Sequence, residues 1–275
     1  MADYGLSALD VVKQTDRSNC GKCGLKNCMA FAALVVQGQK DPRACPCLDE
    51  DFIAKIEEQA GKRQAEREDQ RRELIEPLKQ EMQKLDLEEA AERAGGWFED
   101  GRVKLHVFGR IFELDHEGGL HSQCHVNEWV HLPLLLYVIY GQGKELSGKW
   151  LPFRELKGSQ SWKQFFEYRG ERVFQQMARQ TPELFLDILD LFGTEMHEDG
   201  PPADHRYLLY PFPKVPLLFC YTAAEGKFES YVNLFFDKSI EENLRVDATY
   251  YLAQGIIQMF QRIIERHGTV SRISA

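Results

Sequence analysis

The chain has 275 residues, 43% of them apolar and 28% charged, with a formal net charge of −9. That length supports one sizeable core and a small appendage. The acidic balance, with no Lys/Arg-rich patch carrying interleaved aromatics, excludes an ordinary nucleic-acid binder, and no apolar run reaches the ~20 residues that span a bilayer. The start, Met1-Ala2-Asp3-Tyr4-Gly5, has neither a basic region nor a long apolar stretch, so a secretory signal is not expected and the expected compartment is the cytoplasm.

Seven cysteines punctuate the chain, five of them between residues 20 and 47. In a reducing compartment such a cluster reads as metal ligation rather than disulfides. Cys20, Cys23, Cys28 and Cys45 follow the spacing C-x2-C-x4-C-x16-C. Three thiolates within nine residues and a fourth before Pro46 match what wrapping one cuboidal [4Fe–4S] cluster requires. Gly21 and Gly24 allow the tight turns between them. A helix is expected over residues 27–37, with Phe31, Leu34 and Val35 on its apolar side, Gly38 as its stop and Cys28 in its first turn. The positive end of that helix would face an anionic cluster.

Structural zinc is the alternative, but Cys45-Pro46-Cys47 makes a poor second knuckle. Cys47 can replace Cys45 as fourth ligand, cap a second metal, or stand idle.

Residues 49–93 carry 15 Asp/Glu and 9 Lys/Arg, with almost no apolar residue between 57 and 73. Opposite charges at i,i+4 and good helix formers predict a solvated helical linker, a spacer or a partner-docking arm. Pro77 is expected to break this helix or to open the next. Asp86 is a candidate N-cap for a short helix ending at Gly95-Gly96, with Glu89 in the capping-box position.

Beyond Gly96 the alternation of Val103, Leu105 and Val107, a turn at Gly109-Arg110, then Ile111 and Leu114 predict a β-hairpin. A buried helix is expected over 130–140. Another is expected over 161–180, weakened at Gly170, and Thr181-Pro182-Glu183 is expected to cap and open a third. Strands are expected over 207–211, 215–222 and 231–236, with Cys220 as a buried core thiol. An amphipathic helix over 248–266, capped by Gly268, closes the chain. Strands gathered early and late, with helices between, predict an α+β fold with a mainly antiparallel sheet. The domains then read as a small helical iron–sulfur module (1–48), a charged helical linker (49–85) and an α+β domain (86–275).

No dinucleotide fingerprint, Walker sequence, nucleophile elbow or zinc-protease pair is present. His116, His121, Cys124, His125 and His131 lie within sixteen residues and offer a metal site or an axial ligand to a haem or corrinoid. Their spacing matches no standard zinc pattern, and rim or half-buried residues are the plainer reading. Arg154 and Asp237 either line a pocket or serve as a surface ion and a turn cap.

Residues 16–47 resemble the small iron–sulfur domain of the large subunit of the corrinoid iron–sulfur protein, also found in the B subunit of Rnf-type electron-transport complexes. Cys20, Cys23, Gly24, Cys28, Ala32, Gly38, Cys45 and Pro46 carry the likeness. It implies one [4Fe–4S] cluster that shuttles electrons, with Cys45 as the fourth ligand. Residues 86–265 resemble an uncharacterised domain of anaerobic bacteria and archaea often fused to this module. That likeness rests on Gly109-Arg110, Phe112-Glu113-Leu114, Leu146-Ser147-Gly148-Lys149-Trp150, Phe153-Arg154-Glu155-Leu156, Phe212-Pro213-Lys214-Val215-Pro216-Leu217 and Leu234-Phe235-Phe236-Asp237. It implies an anaerobic setting.

The expected function is electron transfer to a partner protein or to a corrinoid or other tetrapyrrole cofactor. A regulatory or docking module with a structural or oxygen-sensing cluster, and an enzyme with a pocket in the C-terminal domain, are the alternatives.

Overall fold

The computed structural model describes residues 6–36, 40–123, 128–197, 200–226 and 229–267. The fold is α+β. Its contacts divide the chain into two compact units, residues 1–74 and 75–275.

In the first unit, α1 (Ala8–Lys13) opens with a capping box in which Ser7 and Asp10 satisfy each other's backbone N–H groups. Helix α2 (Cys28–Val36) follows an irregular cysteine-bearing loop. A single 3-10 turn over Pro42–Ala44 leads to Cys45. Val11, Phe31, Ala32 and Val35 bury against Leu48, Phe52, Ile53 and Ile56. The last three lie on the start of α3 (Glu50–Met82).

Helix α3 runs through Pro77 rather than breaking there. Proline forfeits one backbone hydrogen bond and crowds the preceding turn. Here Ile75, Leu78 and Met82 bury on either side of it, and that burial offsets the loss.

In the second unit, α4 (Leu87–Arg93) begins as expected, with the Asp86 carboxylate accepting from the N–H groups of Glu88 and Glu89. It ends in a Schellman-type close, the Gly96 N–H bonding Ala91 O at 2.8 Å while Gly95 sits at φ +73°. Strands β1 (Trp97–Glu99), β2 (Arg102–Val107), β3 (Arg110–Asp115) and β4 (Leu120–Ser122) form an antiparallel meander. The β2–β3 turn places Phe108 and Gly109 both at positive φ, the geometry that suits a twisted two-residue hairpin. Pairing of Val103 with Leu114 and Leu105 with Phe112 puts these four side chains inside. Ile111, expected to continue the inner face, is 47% exposed because it lies one residue out of phase.

Helix α5 (Glu128–Tyr140) contains Pro133 and is buried from Leu132 to Ile139. Strand β5 (Trp150–Pro152) follows the loop 141–149. The helix expected over 161–180 is interrupted: α6 (Lys163–Phe166) passes into a π-helical segment, Glu167–Glu171, then α7 (Arg172–Gln180). Helix α8 (Pro182–Phe192) starts at its proline, but Thr181 gives no side-chain cap and instead donates to Met177 O.

Strands β6 (Gly193–Glu195), β7 (His205–Phe212), β8 (Val215–Thr222) and β9 (Tyr231–Asp237) complete a second antiparallel sheet of order β5-β9-β8-β7-β6. Its centre, β8, is buried along nearly its whole length, as a strand covered on both faces must be. A short α9 (Ile240–Asn243) and the long α10 (Val246–His267) end the described chain. Phe260 of α10 sits among Phe174, Phe185, Phe192 and Phe219 at centroid separations of 5.7 to 6.4 Å. The expected stops at Gly38 and Gly268 lie outside the described residues. Cys220 is a core thiol, 2% exposed, and burial pushes its pKa up to about 11.

Candidate metal centre

The cysteine loop holds little regular structure, so its shape comes from turns and local caps. Arg17, Asn19, Gly21 and Gly24 all have positive φ. For Gly21 and Gly24 this costs nothing sterically, and Gly24 N–H closes a turn onto Gly21 O at 2.8 Å. Asn19 is one of the few other residue types that tolerates the left-handed region. Its side chain adds a reason to be there: Oδ1 accepts from the Cys28 N–H at 2.9 Å, joining the two ends of the loop. Asn27 Oδ1 accepts from the Ala30 N–H at 2.7 Å and caps α2. Cys28 is therefore the first residue of a capped nine-residue helix, at its positive end. On the other side, Cys45 follows the 3-10 turn, donates its N–H to Pro42 O and is buried.

These devices bring the four sequence-predicted cysteines to one small hollow, lined by Cys20, Cys23, Cys28 and Cys45 together with Asp16 and Asn19. The hollow is small and shallow as it stands, with about 10 Å³ of enclosed space. Among the described residues no three His, Cys, Asp or Glu side chains stand close enough to hold a single ion. A mononuclear zinc would draw its four thiolates together around one atom. A cube of irons holds each thiolate on a different metal and so keeps them further apart. Cys20 is exposed and Cys23 and Cys28 are half-buried, so the hollow opens to the surface.

Cys47 does not line the hollow. Hydrogen bonding to the Asp16 carboxylate, and then burial, raise its pKa. The same carboxylate accepts from the Ser18 N–H and hydroxyl, which holds its own pKa below the usual carboxylate range. Nothing in the sequence pattern singled out Asn19 or Asp16. The one available signal was an Asn immediately before the first cysteine, a residue type suited to positive φ.

Among the described residues, His116, His121 and His131 form no metal-holding group. His121 Nε2 lies 2.6 Å from Asp115 Oδ2, and His131 Nε2 lies 2.7 Å from Gly118 O. Asp115 also accepts from the Gly119 N–H at 2.7 Å. These contacts tie the 116–119 loop to β3 and to α5. His116 is exposed, and Cys124 and His125 lie outside the described residues.

Asp237 and Arg154 do not share a pocket. Asp237 is 1% exposed and is a loop anchor: Oδ1 accepts from the N–H groups of Ser147 and Ser239 and from the Ser147 hydroxyl, and Oδ2 from the Gly148 N–H. Burial pushes its pKa up, but the hydrogen bonds from Ser147 and Ser239 outweigh it and the net shift is downward. Asn243, fully buried, braces the same loop through both atoms of its amide, bonding Lys144 N–H and the carbonyls of Lys144 and Lys214. Arg154 instead lines a separate pocket beside the π-helical segment.

A family model described as "Putative Fe-S cluster" matches residues 16–47, which supports an iron–sulfur cofactor. The acetyl-CoA decarbonylase/synthase complex subunit gamma of Methanopyrus kandleri is 43% identical over 53 residues, which make up 19% of this chain and 12% of that protein. The chain thus matches only a small part of that relative's length. No solved structure matches. No helix among the described residues is long and apolar enough to cross a membrane. A second family model, described as a domain of unknown function (DUF3786), matches residues 86–259, more than half of the chain, and the chain belongs to that family.

Proposed function

We propose that this protein is an electron carrier whose N-terminal module, residues 1–48, holds one [4Fe–4S] cluster on Cys20, Cys23, Cys28 and Cys45. The observation that carries the reading is the one hollow that these four cysteines line together. The bound cluster supplies one-electron chemistry at its irons and sulfurs. The chain's own part is to fix the ligands and leave an edge accessible. Asn19 and Asn27 hold Cys28 at the helix start, the 3-10 turn sets Cys45, and the exposed Cys20 side leaves a route to a partner. Arg17, Lys22 and Lys26, all exposed on the same loop, place positive charge beside an anionic group and favour its reduced, more negative state.

Residues 49–85 serve as a charged helical arm and residues 86–275 as the domain that engages the partner or its cofactor, a corrinoid or other tetrapyrrole being one such acceptor. The partial match to a subunit of a multi-protein complex supports a partner protein. The test is made on protein purified without oxygen. About four irons and four sulfides per chain, with a fast-relaxing EPR signal on dithionite reduction, are expected. Zinc in their place, or no metal, ends the electron-transfer reading.

A further inference from the structure

The π-helical segment Glu167–Glu171 shapes a second site, in the C-terminal unit. In an α-helix, residues i and i+5 point well apart; in a π turn they come onto one face. Glu167 and Arg172 use this, pairing at 2.8 Å across five residues. The carbonyl of Arg169, within the irregular turn, is satisfied by the Gln254 side-chain amide of α10 at 2.8 Å. The wider turn opens a pocket of about 560 Å³ beside it, within the range that holds small ligands, roughly 300–1,000 Å³.

The pocket lies over a buried aromatic cluster and is walled by charged side chains. Phe153 and Phe166 stack at 3.9 Å with their rings parallel, and Phe236 meets both edge-on. Val232 is buried beside them, and Tyr231, 49% exposed, stands at the rim. The walls carry Arg154, Lys163, Glu167, Glu171 and Arg172. Arg172 and Glu167 neutralise each other. Glu171 is desolvated, which raises its pKa against the opposing pull of Arg154. Among the described residues neither Arg154 nor Lys163 has a carboxylate oxygen within 4 Å, though Glu171 lies near enough to Arg154 to feel its charge. The lining thus sets three cations, Arg154, Lys163 and Arg172, against two carboxylates, Glu167 and Glu171, which leaves one positive charge in excess.

We propose that this pocket binds a small organic anion, its carboxylate or phosphate held by Arg154 and Lys163 and its apolar body laid against the exposed ring of Tyr231. The inference is independent of the cluster.

Isothermal titration of the full chain with benzoate, phenyl phosphate, inorganic phosphate and benzyl alcohol tests it. Saturable one-to-one binding of benzoate or phenyl phosphate is expected, and the tighter of the two identifies the head group. Arg154→Gln and Lys163→Gln should each weaken that binding by about 10-fold or more, the scale of one charge-assisted hydrogen bond. Both side chains are exposed, so thermal melts should be unchanged. Lys157→Gln, outside the pocket, should leave affinity intact. The proposal is overturned if neither organic anion binds at millimolar concentration, if Lys157→Gln weakens binding as much as the pocket variants, or if benzyl alcohol binds as tightly as benzoate. Inorganic phosphate binding as tightly as phenyl phosphate overturns the organic-ligand assignment.

Discussion

The two units hold their chains in place by different means. In residues 1–74 the core is nine buried side chains among the described residues, and the segment between α1 and α2 is loop, with Arg17 and Asn19 in left-handed conformations. In residues 75–275 two sheets and the helices around them enclose a continuous core that includes the phenylalanine cluster around Phe260. Small units of this kind gain stability from metal ligation where apolar burial is limited. The expectation that follows from the proposed cluster is that the cysteine loop depends on it and the larger unit does not.

The sharpest way to break that contrast is to strip the metal. Chelation under oxygen should remove essentially all iron and collapse amide protection across the cysteine loop and α2, because cluster binding and local folding are one equilibrium. Protection in β7, β8 and β9 should not change. Equal loss in both regions would refute the division. Within the loop, Cys45→Ala should abolish iron retention and Cys47→Ala should leave it near about four per chain. The reverse result would move the fourth ligand to Cys47.

The converse perturbation acts on the larger unit alone. Phe260→Ala empties a site bounded by four other phenylalanines. It should cost about 3–5 kcal/mol, read as a fall in the second unit's melting temperature of about 2–4 °C per kcal/mol. Iron content should stay the same.

A smaller effect is expected at Asp237, which secures the 147–148 loop rather than the core. Asp237→Ala leaves several donors without their carboxylate and should cost about 2–3 kcal/mol. The folded-state pKa is lowered, so this stabilisation is present above the unfolded value of about 3.9 and is lost as pH falls through the folded value. The wild-type and Asp237→Ala melting curves should therefore converge under acid. A constant gap down to low pH would remove the carboxylate from the account.

What could be read from the sequence was local. The β2–β3 hairpin announced itself through strict alternation and a glycine turn, and the four cysteines through a spacing set by the cluster. The three-residue strands β1, β4, β5 and β6 are shorter than any period can reveal, and their places are fixed by partners such as Asp237 opposite Trp150. The π turn was hidden because Gly170 in a helical pattern announces weakness, not one extra residue per turn. Asp237 read equally as pocket residue or turn cap because its partners, Ser147 and Gly148, lie about ninety residues away. The unit built around closely spaced cysteines was the more legible; the unit that relies on long-range packing hid its pocket.

The finest test of the contrast lies at Asn19. Two properties meet there: φ of +53° and acceptance of the Cys28 N–H. Asn19→Gly keeps the backbone conformation and deletes the hydrogen bond, whereas Asn19→Ala loses both. A neutral hydrogen bond contributes about 0.5–1.5 kcal/mol, and holding alanine in the left-handed region costs about 1–2 kcal/mol more. Cluster loss on exposure to air should therefore accelerate modestly in Asn19→Gly and further in Asn19→Ala, with the second unit's melting temperature unmoved in both. If the two variants lose iron at the same rate, the hydrogen bond alone shapes the loop. If Asn19→Gly matches the wild type, the left-handed turn alone does, and the loop's dependence on Asn19 is one of conformation rather than of the bond it makes.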